Sequence, residues 1–177
     1  YVTFNNGTEW HPFSKIPNVA IHDLVVQPKA KDLILGTHGR SLYKANIASF
    51  HLLKDTNKNT LFPIKNLRKS SYWGSSWSKW LKPNTPKHAI AFFSDSDKKV
   101  DLTIKSGDIV VNTISVNANK GFNEATYDVS FSEKGKKACL KKKKEADLKK
   151  AKNGKYYLPK GKYTVEYSGE KQTFEVK

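Results

Sequence analysis

Apolar residues recur at every second position in several short segments, and this pattern limits the fold more than any other feature of the sequence. It is clearest at 100–104, 125–131, 163–167 and 174–176, with glycines in the intervening stretches. A period of two is that of a strand with one face buried, and glycine favours the turns between strands. We therefore predict an all-β chain, with a β-sandwich over residues 88–177.

The first 47 residues also predict closely spaced strands, at 1–4, 10–13, 21–27, 32–36 and 41–47. Four or five strands in this length match one blade of a β-propeller. A single blade has two faces that neighbouring blades must cover. We therefore expect further blades upstream in a longer protein, and the lack of Met in the chain fits a processed end or a fragment.

Residues 48–87 lack a clear period and are predicted to form a linker between the two regions. They contain three prolines and the tryptophans Trp73, Trp77 and Trp80. Aromatic residues at this density favour an ordered connector, in which the rings pack between the propeller and the sandwich.

A lysine-rich stretch interrupts the β pattern of the C-terminal region. Its Lys, Ala, Leu and Glu residues favour a helix over about 136–152, with Leu140, Leu148 and Ala151 on one face and Asn153-Gly154 as the stop. We interpret it as a helical insertion between two strands of the sandwich. The single cysteine, Cys139, is predicted to be a partly buried helix residue, and it excludes a disulfide within the chain.

The formal net charge of +16 attracts polyanions without choosing among them. Residues 134–152 contain ten lysines against two acids and no aromatic residue. Modules that bind nucleic acid interleave basic and aromatic side chains, so this pattern argues against nucleic acid. Lys141, Lys142, Lys143 and Lys144 are candidates for contact with an anionic lipid, an acidic glycan or an acidic protein, and a solvated charged helix is the simpler alternative.

Residues 3–10, Thr-Phe-Asn-Asn-Gly-Thr-Glu-Trp, resemble the Asp-box of bacterial neuraminidase repeats, with Asn5 in place of the commoner Asp and Glu9 in place of Thr. Together with 16–28 and 32–43 they resemble the last blade of bacterial sortilin-like propellers of the glycosyl-hydrolase-like type. The segments 84–93, 101–104, 121–123, 127–128 and 159–165 resemble the Ig-like domain related to flagellar hook-capping proteins, with Tyr127 where Trp is usual. The lysine-rich insertion departs from that pattern.

The resemblance implies a structural role for the Asp-box residues Thr3, Asn5, Gly7 and Trp10. Gly7 permits the positive φ of the turn, and Asn5 can accept hydrogen bonds from backbone amides. In relatives the box lies at the outer edge of the blade, away from the central channel. Catalysis in the related hydrolases uses acids of other blades, so we predict no catalytic residue, no cofactor and no metal ligand in this chain.

Two further groups are candidates for a ligand or an interface. Arg40, in the turn 37–40, could bind a carboxylate or phosphate with both arms of its guanidinium group, or pair with an acid of a neighbouring blade or the linker. Trp73, Trp77 and Trp80 could stack on sugar rings, and the favoured alternative is that they pack the linker between the propeller and the sandwich. The solvent exposure of the three rings distinguishes these alternatives.

Three functions remain open on the sequence alone. The first is a non-catalytic part of an exported sortilin-like protein of the bacterial periplasm, cell surface or medium, which binds other envelope proteins or acts as a scaffold. The second is an accessory region of a glycoside hydrolase whose catalytic acids lie upstream. The third is a basic module that binds anionic lipid or glycan. In the first two, the partners include the remaining blades of the same protein.

Overall fold

The computed structural model of the chain describes residues 1–11, 18–53, 55–142 and 148–177. In these ranges, ten strands form three sheets, accompanied by two helices. The predicted all-β class is confirmed at this level. Neither described helix has the length and apolar composition needed to cross a bilayer.

The chain divides into two compact units, Tyr1–Lys58 and Asn59–Lys177. The division lies inside the predicted linker 48–87. Residues 48–58 belong to the first unit and include a short helix, α1 (Ala48–Leu52). Residues 59–87 belong to the second unit, because a strand at Thr60–Leu61 pairs with a strand further along the chain.

The first unit contains one antiparallel sheet of three strands in the order β1-β2-β3. Their bounds are Ile21–Gln27, Asp32–Thr37 and Leu42–Asn46, close to three of the predicted strands. Of the two other strands predicted there, the one at 1–4 is reduced to a bridge between Val2 and His11, and half of the one at 10–13 lies outside the described residues.

The second unit contains two sheets. One has three strands in the order β4-β5-β8, and the other has four in the order β10-β9-β6-β7. The bounds are β4 Thr60–Leu61, β5 His88–Ser94, β6 Lys98–Ser106, β7 Ile109–Ala118, β8 Gly121–Tyr127, β9 Gly161–Tyr167 and β10 Glu170–Val176. Side chains from both sheets form one hydrophobic core. The ring of Phe92 in β5 meets that of Tyr167 in β9 edge-on, with centroids 5.0 Å apart.

The longest strand, β7, was not predicted, because a bulge changes its phase. Ile104 pairs with Asn112 and Lys105 with Val110, so Val111 has no counterpart on β6. Such an extra residue reverses which face the following side chains occupy. The apolar residues that face the core consequently lie at 109 and at the bulge residue 111, and then at 114 and 116 beyond it, so the sequence shows no single alternation along the strand.

The strand predicted over 125–131 ends at Tyr127 instead. Val129 has a φ of 59° and Asp128 forms a turn, its carboxylate accepting hydrogen bonds from the N–H and hydroxyl groups of Ser130 at 3.1 and 2.7 Å. Asp favours such turns because its side chain bonds the backbone two residues on. Val129 is nevertheless fully buried, which explains why the alternation continues past the end of the strand.

The lysine-rich helix, α2, spans Glu133–Lys142 and therefore begins before the predicted start at 136. The Ser132 hydroxyl caps it by accepting a hydrogen bond from the Gly135 N–H at 3.0 Å. Residues 143–147 lie outside the described part, and 148–152 are not helical. The predicted face of Leu140, Leu148 and Ala151 is wrong: α2 buries Gly135 and Cys139 instead, because Gly135 allows the helix to approach the backbone of Val111 closely.

The segment before the tryptophans runs alongside the last strand. The Leu67 N–H donates to the Glu175 carbonyl at 2.9 Å, and the Lys177 N–H donates to the Leu67 carbonyl at 2.9 Å. Leu67 thus forms a parallel bridge with Val176. This contact covers part of the outer edge of β10, an edge that would otherwise offer its backbone groups to another strand.

Candidate binding surfaces

The sheet of the first unit carries apolar side chains on both faces. Leu24 pairs with Leu35, and Val25 pairs with Ile34, so the two pairs lie on opposite faces. Leu35 is buried, whereas Leu24, Val25 and Ile34 are exposed. β1 and β3 are the two edge strands, so each also has one edge where a further strand could pair.

The Asp-box hairpin is held by the side chains that the resemblance singled out. The Thr3 hydroxyl accepts a hydrogen bond from the Gly7 N–H at 2.8 Å, and the Asn5 side-chain oxygen accepts one from the Glu9 N–H at 2.9 Å. Gly7 has a φ of 87°, which glycine adopts without strain. Each of these contacts lies within the hairpin.

Trp10 lies beside the Asp-box turn and remains 58% exposed. A Cβ on Gly7 would be 3.8 Å from its indole ring, so the ring covers that side of the turn. The next residue, His11, is buried, and its backbone exchanges two hydrogen bonds of 2.8 Å with Val2. The ends of the hairpin are therefore closed although the ring of Trp10 is largely in water.

Arg40 occupies the turn between β2 and β3, as the sequence indicated. The Thr37 hydroxyl donates to the Ser41 carbonyl at 2.6 Å, which fixes the turn. Arg40 itself is exposed. The rings of His22 and His38 lie near the same end of the sheet, with centroids 5.1 Å apart. Within the described residues, no group of three or more His, Cys, Asp or Glu side chains could hold a metal ion.

The three tryptophans of the predicted linker lie in different environments. Trp73 is half-buried and its ring packs on Tyr157, with centroids 5.7 Å apart. Trp77 is 99% exposed and Trp80 is 85% exposed. Trp73 therefore packs, but on a residue of the second unit, and the exposure of Trp77 and Trp80 does not agree with the favoured alternative, in which all three rings pack the linker between the propeller and the sandwich.

Trp77 and Trp80 project from a closed loop, residues 75–84, which we call the aromatic loop. The Gly74 N–H donates to the Asn84 carbonyl at 2.7 Å, and the Asn84 N–H donates to the Ser75 carbonyl at 2.8 Å. These two bonds join the ends of the loop. Inside it, the Leu81 N–H donates to the Ser78 carbonyl at 3.0 Å. The backbone that carries the two rings is thus internally bonded.

The base of the aromatic loop is docked on the segment that follows the lysine-rich helix. Gly74 is buried, and its carbonyl accepts a hydrogen bond from the Asn153 N–H at 2.9 Å. A Cβ on Gly74 would lie 2.5 Å from the Asn153 side chain and 2.6 Å from Ala151, so only glycine fits this contact. Exposed lysines flank it at Lys150 and Lys152.

The candidate lysines are only partly described. Lys141 is exposed near the end of α2; the side chain of Lys142 and residues 143 and 144 lie outside the described part. Earlier in the helix, the Lys136 ammonium group lies 2.9 Å from Glu133 and 4.4 Å from the centroid of the Tyr156 ring. Aromatic side chains therefore lie next to the lysine-rich helix in space, although none occurs within it in sequence.

A cleft of about 620 Å³ lies between the start of β7 and the first turns of α2. Its lining includes Asp108, Asn112, Glu133 and Lys134. Asp108 and Glu133 are acidic, Lys134 is basic and Asn112 is neutral, so the cleft offers polar groups of both signs. The cleft was not expected from the sequence, because β7 was not predicted.

His88 is buried at the start of β5, and the half-buried Asp128 follows the end of β8. Burial lowers the pKa of His88, whose Nε2 has no hydrogen-bond partner in the described structure. For Asp128, burial alone would raise the pKa, but hydrogen bonds from Lys155 and Ser130 outweigh it and hold the pKa below its ordinary value. The Lys155 ammonium group, 2.6 Å from the Asp128 carboxylate, thus adds to the bonds that hold the chain after β8.

Comparison with known proteins identifies no relative. No protein-family model matches the chain, and no curated protein or solved structure matches it significantly. The resemblance to sortilin-like propellers and to hook-capping Ig-like domains therefore remains a prediction from the residues themselves.

The sequence did not predict that the aromatic loop meets the lysine-rich region. The contact joins Gly74 to Asn153, which are far apart in the chain. One residue could have indicated this contact. Gly74 lies close to bulky aromatic residues in the sequence, and in the structure it is buried with a φ of 75°, a conformation that glycine adopts without strain. That signal identifies one side of the contact but not its partner.

Proposed function

We propose that this chain is the non-catalytic C-terminal part of a larger exported protein that binds other proteins or acts as a scaffold at the cell envelope. In this proposal residues 1–47 are the last blade of a sortilin-like β-propeller, and residues 88–177 are an Ig-like sandwich. The proposal rests on one observation: the sheet of the first unit exposes apolar side chains on both of its faces.

Apolar residues on both faces are typical of a sheet that packs between two others. In a propeller, each blade is covered on each side by a neighbouring blade. Leu24 on one face and Val25 on the other would be buried by such neighbours, at a gain of about 1.5–3 kcal/mol for each large side chain. The Asp-box hairpin, in which the Thr3 and Asn5 side chains accept hydrogen bonds from the Gly7 and Glu9 N–H groups, supports the same interpretation.

Intact-mass measurement and peptide mapping of the protein isolated from its source test the proposal. We expect a mass well above the 20.0 kDa of this chain, with further Asp-box hairpins upstream. A natural protein that begins at Tyr1, with the amides of β1–β3 well protected from hydrogen exchange, would overturn the proposal.

Substitutions on the two faces provide a second test. Leu24→Lys and Val25→Lys should change the stability of the 177-residue chain by less than about 1 kcal/mol, because both positions are exposed there. In the longer protein each should destabilise the propeller by several-fold more, since each places a charge between two blades. Equal effects in both proteins would contradict the proposed packing.

A further inference from the structure

The aromatic loop displays two tryptophans that the fold of the second unit does not use. Trp77 and Trp80 are almost completely in water, and Leu81 beside them is 57% exposed. Large apolar side chains grouped on a surface mark sites of contact with another molecule. Such a group on a bonded loop is stronger evidence than scattered exposed residues, because the loop holds the rings outward.

The base of the loop is attached to the hydrophobic core of the second unit. Its closing bonds join Gly74 and Ser75 to Asn84, and Gly74 is wedged against Asn153. Trp73 packs on Tyr157 and contacts the hydrophobic core. Binding through Trp77 and Trp80 therefore requires little ordering of the backbone, which reduces the entropic cost of association.

The surroundings of the loop in sequence are basic throughout. Residues 56–94 contain seven lysines and arginines and no acid. Lys79 and Lys82 are exposed within the loop, and the Lys79 ammonium group lies 5.1 Å from the centroid of the Trp80 ring. The exposed Lys150 and Lys152 add charge beside the docked base. A binding partner must therefore tolerate or require positive charge.

The combination of indole rings, an aliphatic side chain and lysines fits a lipid surface better than a sugar or a nucleic acid. Tryptophan favours the interface between headgroups and acyl chains, and lysines near an anionic membrane contribute about 1 kcal/mol each. Leu81 would gain from contact with acyl chains, whereas it offers no ring on which a sugar or a base could stack.

We propose that the aromatic loop is a membrane-docking loop, which inserts Trp77, Trp80 and Leu81 into the headgroup region of an anionic bilayer while Lys79 and Lys82 contact the headgroups. This site differs from the lysine run 141–144. It lies in the second unit, which has its own core, so the proposal is independent of the propeller and of any upstream chain.

Vesicle binding by the 177-residue chain tests the proposal. We expect the protein to co-sediment with vesicles that contain phosphatidylglycerol, with a blue shift of tryptophan emission, and to bind phosphatidylcholine vesicles far more weakly. Binding should weaken as salt is added, because salt screens the lysines. Failure to bind the anionic vesicles, or equal binding to both, would overturn the proposal.

Substitutions assign the binding to the loop. Trp77→Ala with Trp80→Ala should weaken binding to anionic vesicles about tenfold or more, since each ring loses buried apolar area. Trp10→Ala is the matched control, because Trp10 is also exposed but lies outside the loop; binding should not change. Lys79→Gln with Lys82→Gln should weaken binding at low salt and reduce its salt dependence.

The folding of each variant is checked by its thermal unfolding, which should be unaltered, since the substituted side chains are exposed. Unchanged vesicle binding by the double tryptophan variant would reject the aromatic loop as the docking site. Tryptophan-dependent binding of a soluble acidic polysaccharide or of single-stranded DNA, without vesicle binding, would also reject the membrane and identify the competing class of ligand.

Discussion

In the second unit, the alternate residues of β6 are buried almost completely, and Leu102 has no exposed surface; in the first unit, Leu24 of β1 is 59% exposed. Both strands are apolar enough to be recognised in the sequence. β6 lies in a sheet that shares a core with a second sheet, whereas the sheet of the first unit has no second sheet against it among the described residues of that unit. Strand formation and burial are thus separate properties.

The largest difference between the units should appear when a large side chain is removed from each. Leu102→Ala should lower the free energy of unfolding of the second unit by about 2–5 kcal/mol, because it leaves a cavity in a close-packed core. Leu24→Ala should cost the first unit less than about 1 kcal/mol. Amide exchange within each sheet measures both effects. Similar losses would show that the sheet of the first unit is covered as well as that of the second.

Adding a methyl group tests the same contrast from the opposite direction. In Gly135→Ala the new Cβ would lie 2.0 Å from the Val111 carbonyl oxygen, so α2 must move away from β7. We expect a loss of about 1–3 kcal/mol in denaturant unfolding, which outweighs the higher helix propensity of alanine.

Gly36→Ala in β2 is the matched control for that experiment. Its Cβ would be 3.6 Å from the nearest atom, the Asp23 carbonyl oxygen, which is an ordinary contact. The first unit should therefore accept the methyl group with a change below about 0.5 kcal/mol. A larger loss for Gly36→Ala than for Gly135→Ala would mean that the first unit is the more tightly packed.

Acid should weaken the second unit through His88. Because burial lowers the pKa of His88 in the folded state, the unfolded chain binds its proton first as the pH falls below the ordinary value of 6.5. Stability is therefore full above that pH and declines below it. His88→Leu should flatten the decline between pH 6.5 and the range where carboxylates titrate. Parallel pH profiles for the two proteins would exclude His88 as the cause.

The smallest expected effect concerns the Asp-box hairpin of the first unit. Asn5→Ala removes the acceptor of the Glu9 N–H and should cost about 1 kcal/mol, confined to the hairpin. Faster amide exchange at Val2 and His11 would report it. Asn6→Gly should leave exchange unchanged, because Asn6 has a φ of 54°, which glycine adopts readily.

Regular alternation of apolar and polar residues was enough to predict strands. Where that alternation was interrupted, the sequence did not indicate which structure to expect. The predictions at 100–104 and 163–167 are confirmed by β6 and β9 because every second residue there faces the core. β7 was not predicted because the bulge at Val111 moves its core-facing apolar residues from odd to even positions. The N-cap of α2 at Ser132 is a local signal that the sequence does contain and that was not used, whereas the close approach of Gly135 to Val111 is a tertiary feature.

The sequence predicted which residues form the candidate binding surfaces, but not which of their side chains are exposed and which are packed. The sequence identified Trp73, Trp77 and Trp80 as a group, but similar local sequence surrounds a ring that packs on Tyr157 and two that are in water. The difference arises from the contact of Gly74 with Asn153, which lies far away in the sequence. Long-range contacts of this kind leave little trace in a single sequence.

The bridge between Leu67 and Val176 has a consequence for how the chain folds as it is made. Close by, the Glu175 N–H donates to the side-chain oxygen of Asn66, a hydrogen bond that spans 109 residues. The ribosome makes the chain from its N-terminus, so the stretch leading to the aromatic loop is made before β10. It cannot pair with β10 until that strand has been synthesised. Closure over so long a separation is slow. During that interval the nascent chain presents its tryptophans before Leu67 has paired with the edge of β10, and a chaperone or a membrane could reach them first.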